Sequence, residues 1–178
     1  MRFKCFVIVF SAVILATACS AFLKESAPLP TVSKVDLNRY VGQWYAVTSL
    51  PQFFTRKCVA QDAVYGLNSR SEISVKNICI KKDGNKTEIS GFARATAEPG
   101  VFALKFTSGI AGFFGASGDY NIIKLDPDYR YSLIGGKDRQ SLWLLARTTD
   151  IDKNVLNEYI GAASELGFDV SELVDSKR

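Results

Sequence analysis

Cysteine is the side chain of this sequence best suited to covalent chemistry, because its 178 residues include four cysteines and no histidine. Without histidine, the chain lacks the commonest general base, the usual zinc ligand and the Ser–His or Cys–His nucleophile pairs. Haem would have only a tyrosine or a thiol as its axial ligand. The composition therefore disfavours an enzyme, and we expect no metal and no cofactor.

Cys58 and Cys79 flank a turn signal at Asn68-Ser69, between two stretches that alternate like strands. If the turn is centred there, the two thiols face each other within reach of a disulfide. An oxidising compartment favours this bond, and closing a loop of about 20 residues stabilises a fold by about 3 kcal/mol. We expect this disulfide. A free thiol at either position would instead favour an enzyme that uses it as a nucleophile.

The first 18 residues have the pattern of an export signal, with Arg2 and Lys4 before a short apolar run. The following segment, Leu15-Ala16-Thr17-Ala18-Cys19, resembles a bacterial lipobox, which predicts cleavage before Cys19 and a membrane anchor of acyl chains on it. The alternative is an ordinary Ala-x-Ala cleavage site at residues 16–18, which leaves Cys19 unmodified. Because Ser20 is not Asp, the lipoprotein sorting rule favours the outer membrane, with the protein facing the periplasm.

Removal of residues 1–18 takes away two positive charges, so the formal net charge falls from +4 to +2. No basic block is long enough to follow a phosphate backbone, and we expect no nucleic-acid partner. Residues 19–33 contain two prolines and no apolar period, which predicts a tether between the anchor and one folded domain at residues 34–178.

Stretches that alternate between apolar and polar residues follow one another between residues 42 and 147, with turn signals between them. They predict eight strands, at 42–49, 59–67, 71–82, 86–97, 101–107, 117–125, 129–135 and 140–147. The short connections favour an up-and-down antiparallel barrel over a Greek-key sandwich. A single helical turn is predicted at residues 36–40, and a helical period follows the barrel, with Asp152 as its cap and Gly167 as its stop. The fold class is thus an all-β barrel with a short N-terminal helical turn and one C-terminal α-helix.

Three motifs along this barrel resemble the lipocalin family, and more narrowly its bacterial outer-membrane lipoproteins, over about residues 34 to 173. Gly42-Gln43-Trp44-Tyr45 matches the first signature of that family. Leu125-Asp126-Pro127-Asp128-Tyr129 stands for the second, with its threonine lost and its tyrosine shifted. Arg147, at the end of the last predicted strand, matches the third.

If the strands alternate in direction, these motifs meet at one closed end of the barrel, with Arg147 laid over the ring of Trp44. The resemblance implies a structural role for Gly42, Trp44, Asp126, Tyr129 and Arg147, which identify the fold and do not touch the ligand.

Residues that alternate along a barrel strand point inward and outward in turn. If Trp44 and Arg147 point inward and the lysines point outward, the alternation predicts an apolar and aromatic cavity with small residues on one wall. The predicted lining is Ala46, Thr48, Ile73, Val75, Asn77, Ala93, Phe102, Leu104, Phe106, Asn121, Ile123, Trp143 and Leu145. Such a lining fits a fatty acyl chain, although the same residues would also fill the packed core of a ligand-free structural barrel.

Four phenylalanines lie on loops predicted to surround the open end of the barrel: Phe53, Phe54, Phe113 and Phe114. Either they fold inward as a lid, or they form a hydrophobic lip that contacts a membrane or a second subunit. Three basic residues on the same rim are candidates for binding a ligand head group: Arg56, Lys57 and Lys137.

The resemblance implies a binding protein for a fatty acid or a lysophospholipid, in lipid traffic or maintenance of the cell envelope, and not an enzyme. The subgroup includes dimers, which leaves a homodimer open. The alternative from a different class is an enzyme that acts on a lipid-derived substrate through a cavity thiol or carboxylate.

Overall fold

Eight antiparallel strands pair in chain order and close into a barrel. The structure, a computed structural model, describes residues 27–68, 72–109 and 117–178. The strands are β1 (Gly42–Ser49), β2 (Cys58–Leu67), β3 (Ile73–Lys81), β4 (Lys86–Ala95), β5 (Val101–Phe106), β6 (Ser117–Leu125), β7 (Tyr131–Gly135) and β8 (Leu142–Ala146). Each pairs with the next, and β1 pairs with both β8 and β2. The predicted eight-stranded up-and-down barrel is therefore confirmed.

The ends of the strands follow the turn residues of the sequence. β1 and β6 have the predicted bounds, and the ends of the other strands differ from prediction by at most two residues. In the turn between β3 and β4, the Asp83 carboxylate accepts a hydrogen bond from the backbone N–H of Asn85 (3.0 Å). Gly84 between them has a φ of +81°, a conformation that glycine adopts without strain. Local turn chemistry thus determines where this strand pair reverses.

Bulges interrupt the alternation of side chains along the barrel, and two of them lie beside predicted cavity residues. The pairing of β1 with β8 shifts between Ala46 and Thr48, and the pairing of β6 with β7 shifts between Ile122 and Lys124. A bulge adds one residue to one strand, so two neighbours in the chain face the same side of the sheet. Strict alternation therefore gives the wrong face on one side of each bulge.

Among the described residues, two α-helices flank the barrel, α1 (Leu37–Tyr40) before β1 and α2 (Lys153–Glu165) after β8. The carboxylates of Asp36 and Asp152 cap them by accepting hydrogen bonds from backbone N–H groups of the first turn. Gly167, at a φ of +85°, follows the end of α2. The predicted helical turn is confirmed, as is the C-terminal helix with Asp152 as its cap and Gly167 as its stop.

The barrel has an apolar core on each side of its wall. Inside, one cluster surrounds Trp44 at the end of the barrel nearest α1. Outside, Tyr159 and Ala163 of α2 are buried against Leu133 and Leu144 on β7 and β8. The helix covers the outer face of these strands, which explains why their buried residues run consecutively instead of alternating.

The C-terminal tail fills a gap in the barrel wall. β1 and β2 pair directly only between residues 42–45 and 62–65. Beyond Tyr45, the short strand β9 (Val174–Asp175) pairs with β1 instead. The backbone N–H of Ser176 then donates to Val47 (2.9 Å), and that of Lys177 donates to Val59 (2.7 Å). The last residues of the chain therefore join β1 to β2 where these strands have separated.

Arg147 joins three parts of the closed end, which is the end of the barrel at α1. Its guanidinium lies 3.8 Å from the centre of the Trp44 ring. It donates to the carbonyls of Arg39 (2.7 Å) and Tyr40 (3.2 Å) in α1. It also donates to Gln43 (2.8 Å) in β1 and to Tyr129 (3.2 Å) in the turn between β6 and β7.

The other signature residues lie around this arginine. A Cβ on Gly42 would come within 3.3 Å of the guanidinium, and its φ is +101°. Asp126 organises the adjoining turn by accepting from the backbone N–H groups of Asp128 and Arg130. Burial raises the pKa of Asp126, but the hydrogen bonds and charge of Arg130 outweigh it and hold the pKa below its usual value. Tyr129 accepts a hydrogen bond from the backbone N–H of Asp36 (2.8 Å).

Replacing Arg147 with Ala is expected to lower the free energy of unfolding by about 3 kcal/mol, because several backbone carbonyls lose a charged donor and the Trp44 ring loses its cation. Arg147→Lys keeps the charge but not the planar fork of donors, so we expect an intermediate loss. Urea unfolding measures both changes. Ligand affinity of the folded fraction should stay the same, and a large loss of affinity at unchanged stability would contradict the structural role.

Candidate functional site

An apolar cavity of about 310 Å³ lies inside the barrel and opens at the end away from Arg147. This is near the lower limit for sites that bind small molecules, which range over about 300–1,000 Å³. Its entrance, here called the mouth, is lined by residues of the loops after β1 and β7, namely Gln52, Phe54, Thr55 and Ser141. The Gln52 side-chain amide donates to the carbonyl of Gln140 (2.8 Å), which joins these two loops.

The predicted inward residues fall into three groups. Six line the cavity: Ala46, Asn77, Leu104, Phe106, Trp143 and Leu145. Four belong to the packed interior cluster around Trp44: Ile73, Val75, Ala93 and Phe102. The remaining three, Thr48, Asn121 and Ile123, lie outside the cavity. The lower half of the barrel is therefore packed core, and the open half holds the cavity.

The prediction for Thr48 is wrong, because the bulge in β1 turns this residue to the outer face. Thr48 is buried between the wall and α2, beside Leu144 and Tyr159. Its hydroxyl oxygen is buried and has no hydrogen-bond partner among the described residues. The side chain is therefore part of the helix packing and does not line the cavity.

The predictions for Asn121 and Ile123 are wrong for the same reason. Alternation counted back from the outward Lys124 puts both residues inside, but the bulge at Ile123 reverses the face of the residues before it. Ile123 packs in the outer cluster, and the Asn121 amide donates to the carbonyl of Gly135 (2.8 Å). Tyr120 and Ile122 belong to the interior instead.

Polar groups that were not predicted interrupt the apolar wall. The indole N–H of Trp143 donates to the Gln61 side chain (3.1 Å), which donates in turn to the Ser49 hydroxyl (3.2 Å). Gln61, Ala63 and Tyr65 line the cavity at alternate positions of β2. The sequence signal for their direction was Lys76, which points outward and pairs with Val64 across the hairpin. Val64 therefore points outward too, and the residues on either side of it point inward.

The side chains of Tyr65 and Tyr120 line the inner end of the cavity and form its floor. Their oxygens are 3.1 Å apart. Below them, the Tyr40 hydroxyl lies 2.6 Å from that of Tyr120 and 3.0 Å from that of Ser132. Burial raises the pKa of Tyr40 to about 12 and raises the pKa of Tyr65 and of Tyr120. All three phenols are therefore neutral hydrogen-bonding groups at physiological pH.

Cys58 and Cys79 form a disulfide, with their Cα atoms 5.2 Å apart. They are not directly opposite, as a turn centred on Asn68-Ser69 would have made them. Cys79 pairs with Gln61, and the register shifts between Cys58 and Ala60, so the disulfide is diagonal. Cys79 lines the cavity, but as part of a disulfide it offers no thiol there. Cys19, the predicted anchor, lies outside the described residues.

The described part of the rim is both aromatic and charged. The side chains of Phe53 and Phe54 are 80% and 63% exposed, although Phe54 also lines the mouth. The Arg56 guanidinium lies 4.0 Å from the centre of the Phe53 ring, and Lys57 is exposed. Lys137 forms ion pairs with Glu98 and Asp119 (3.6 and 3.9 Å). Phe113 and Phe114 lie outside the described residues.

Neither metal ligation nor a spanning helix is found in the described ranges. Residues 27–68, 72–109 and 117–178 contain no group of three or more His, Cys, Asp or Glu side chains that could hold a metal ion. Within the same ranges, no helix is long and apolar enough to cross a membrane.

A closed antiparallel barrel with an apolar cavity, a mouth at one end and an arginine-sealed opposite end defines the class of barrel proteins that bind small hydrophobic molecules. Comparison of sequences agrees with this class. The family described as "Lipocalin-like domain" matches residues 35–178. The chain belongs to the lipocalin family, whose members bind small hydrophobic ligands and are in general binding or transport proteins rather than enzymes.

Relatives in this family come from bacteria and plants. The chain is 35% identical over 170 residues to outer membrane lipoprotein Blc of Escherichia coli strain K12. The aligned region covers 90% of this chain and 93% of the relative. It is 31% identical over 156 residues to temperature-induced lipocalin-1 of Arabidopsis thaliana, with coverage of 85% and 83%. Among solved structures, insecticyanin from the tobacco hornworm Manduca sexta has a TM-score of 0.67 at 18% identity, with 84% of each chain covered. That last likeness is one of fold alone.

Alkaline titration is expected to separate the buried tyrosines from the rest of the seven. Because the folded pKa of Tyr40 is raised above its ordinary value of 10.0 to about 12, its contribution to stability is complete below about pH 10 and is lost as the pH rises towards 12. Tyr65 and Tyr120 act in the same direction. Tyrosinate absorbance should therefore include a late, cooperative step that coincides with unfolding. Ionisation of all seven in one gradual transition near pH 10 would contradict this burial.

Proposed function

We propose that the protein binds a fatty acid or a lysophospholipid in its barrel cavity and carries or stores it in lipid traffic or maintenance of the cell envelope. The observation that carries this proposal is the apolar, one-ended cavity. Its walls are lined by long apolar side chains such as Ile89, Leu104 and Phe106, and its mouth leads to solvent. An acyl chain would lose its contact with water inside the barrel while its polar head group stays at the rim.

Basic residues at the mouth support this orientation. Arg56 and Lys57 are exposed beside the entrance, where a carboxylate or phosphate could keep much of its hydration. Lys137 is already paired with two carboxylates and is the weaker candidate. The proposed role is binding without catalysis, since the disulfide engages Cys58 and Cys79 and the family consists in general of binding proteins.

We also propose that Cys19 is lipidated after removal of residues 1–18 and anchors the protein in the outer membrane, on its periplasmic face. The lipobox-like segment supports this location, as does the similarity to relatives named outer membrane lipoproteins. Residues 19–33 form the proposed tether, and 34–178 form the domain. Within the described part of the tether, Leu29 packs against the outer core, and the Val32 N–H donates to the carbonyl of Ile122 (2.9 Å).

The position of Ala27 bears on the direction of the mouth. The carbonyl of Ala27 accepts a hydrogen bond from Arg139. Arg139 lies in the loop after β7, which Gln52 joins to the loop after β1 at the mouth. Eight Cα–Cα steps lead from Cys19 to Ala27, and they span at most roughly 28 Å when fully extended. An anchored Cys19 would hold Ala27, and with it the loop that contains Arg139, within that distance of the bilayer. We therefore propose that Phe53 and Phe54 form a lip that contacts the membrane.

Tryptophan fluorescence tests for a ligand in the cavity. Trp143 lines the cavity and Trp44 is buried at the closed end, so a variant with Trp44→Phe reports only on the cavity. Its emission is expected to shift on titration with palmitate or with a lysophospholipid, with saturation at one ligand per barrel. The matched variant Trp143→Phe should show almost no shift. If the wild-type protein binds neither ligand, the proposal is overturned and a structural barrel is favoured.

Vesicle binding tests the lip. We expect protein that lacks residues 1–19 to bind anionic phospholipid vesicles weakly, and Phe53→Ser with Phe54→Ser to reduce binding at least fivefold, because two exposed aromatic rings no longer leave water. Leu67→Ser is the control, since Leu67 is exposed at the opposite end of β2. An equal effect of the control would contradict the lip. A dimer that only the phenylalanine variant abolishes would assign the same residues to a second subunit.

A further inference from the structure

The cavity floor, formed by Tyr65 and Tyr120, places two hydroxyl groups where a phenylalanine ring would fill the same space. Tyr65 is only 5% exposed. Burying a hydroxyl is costly unless it is hydrogen-bonded, so an apolar carrier gains nothing from phenols at this depth unless they have a partner. Tyr65 finds one such partner in Tyr120, through an oxygen–oxygen contact of 3.1 Å.

When each hydroxyl hydrogen of this cluster is assigned to a hydrogen bond, one O–H group is left without an acceptor. Tyr120 donates to Tyr65, which uses the single proton of Tyr120. Tyr40, 2.6 Å from Tyr120, must then donate to it, and Ser132, 3.0 Å from Tyr40, must donate to Tyr40. Tyr65 stands at the end of this chain as an acceptor. Its own O–H has no acceptor among the described residues, and its side chain lines the cavity.

The surroundings of the floor determine which acceptor suits this donor. Arg147 lies on the far side of Tyr40, where it is occupied by four backbone carbonyls. The charged residues that line the cavity are the acids Asp62 and Asp119, and the Asp62 carboxylate is paired with Arg178. A carboxylate or phosphate at the floor would be buried without a cation. An uncharged oxygen needs no counter-charge.

We propose that Tyr65, held by Tyr120, is a binding subsite for an uncharged oxygen at the end of the ligand that enters the barrel first. The oxygen is a hydroxyl, carbonyl or ester oxygen that accepts the free O–H of Tyr65. This subsite rests on the proposed function, because it presupposes that a lipid chain occupies the cavity. It narrows the preferred cargo from plain acyl chains to chains with an oxygen at the buried end.

Paired ligands that differ only at the buried end test the subsite. Palmitate and 16-hydroxypalmitate share the carboxylate for the mouth, and their affinities for the purified protein are measured by displacement of a fluorescent fatty acid. The measured quantity is the ratio of the affinity for 16-hydroxypalmitate to the affinity for palmitate. This ratio should be about fivefold higher in the wild-type protein than in Tyr65→Phe. Such a difference is what about 1 kcal/mol, the net value of one hydrogen bond, corresponds to. Tyr131→Phe, on the outer face against α2, is the matched control and should keep the wild-type ratio.

The outcomes separate this subsite from the function on which it rests. If both ligands bind and their ratio is the same in the wild type and in Tyr65→Phe, the subsite is overturned and fatty-acid binding stands. If neither ligand binds, both proposals fail.

A second series on the wild-type protein keeps the subsite open to contradiction if Tyr65→Phe does not fold. A hydroxyl in the middle of the chain would lie away from Tyr65, along a wall where Leu104 and Phe106 offer no partner and the Gln61 amide is already bonded to Trp143 and Ser49. The 16-hydroxy chain should therefore bind at least fivefold more tightly than the mid-chain isomer. Equal affinities would overturn the subsite.

Discussion

The contact of Arg147 with Trp44 and with the carbonyls around it is the constraint on which the rest of the barrel depends. It ties α1, β1 and the turn between β6 and β7 to the end of β8, so that elements from both ends of the sequence meet at one point. Because this end is sealed by a guanidinium that is held by four backbone carbonyls, the cavity opens at the other end. The mouth, the cavity and the floor are all positioned by that asymmetry.

Strand positions could be predicted from the sequence because turn residues act locally. Gly84 and its neighbours reverse the chain whatever the rest of the barrel does. The face of each residue is a different problem, since it depends on counting by twos without interruption. One extra residue in β1 and one in β6 were enough to misplace Thr48, Asn121 and Ile123. Bulges of this kind have no residue signal that single-sequence patterns reveal, because they arise from how neighbouring strands match in a closed barrel.

The polar interior escaped prediction for another reason. Tyr65, Tyr120, Tyr40 and Ser132 come from β2, β6, α1 and β7, and no pair of them is close in sequence. Each tyrosine by itself looks like ordinary aromatic core. Only the closed barrel brings their hydroxyls together, so the polarity of the floor is a property of the tertiary structure. The disulfide shows the reverse case, where the two cysteines could be paired from the sequence but their register could not.

A barrel with a cavity in its interior gives up packing contacts that a solid core would have. The compensating interactions lie away from the cavity, in the closed end, in the packing of α2 on the outer face and in the tail that joins β1 to β2. The disulfide adds about 3 kcal/mol in the chain-entropy picture, although Cys79 itself touches the cavity. Stability and binding are thus carried by largely different residues. The cavity wall can therefore change with the cargo while the arginine-sealed end preserves the fold.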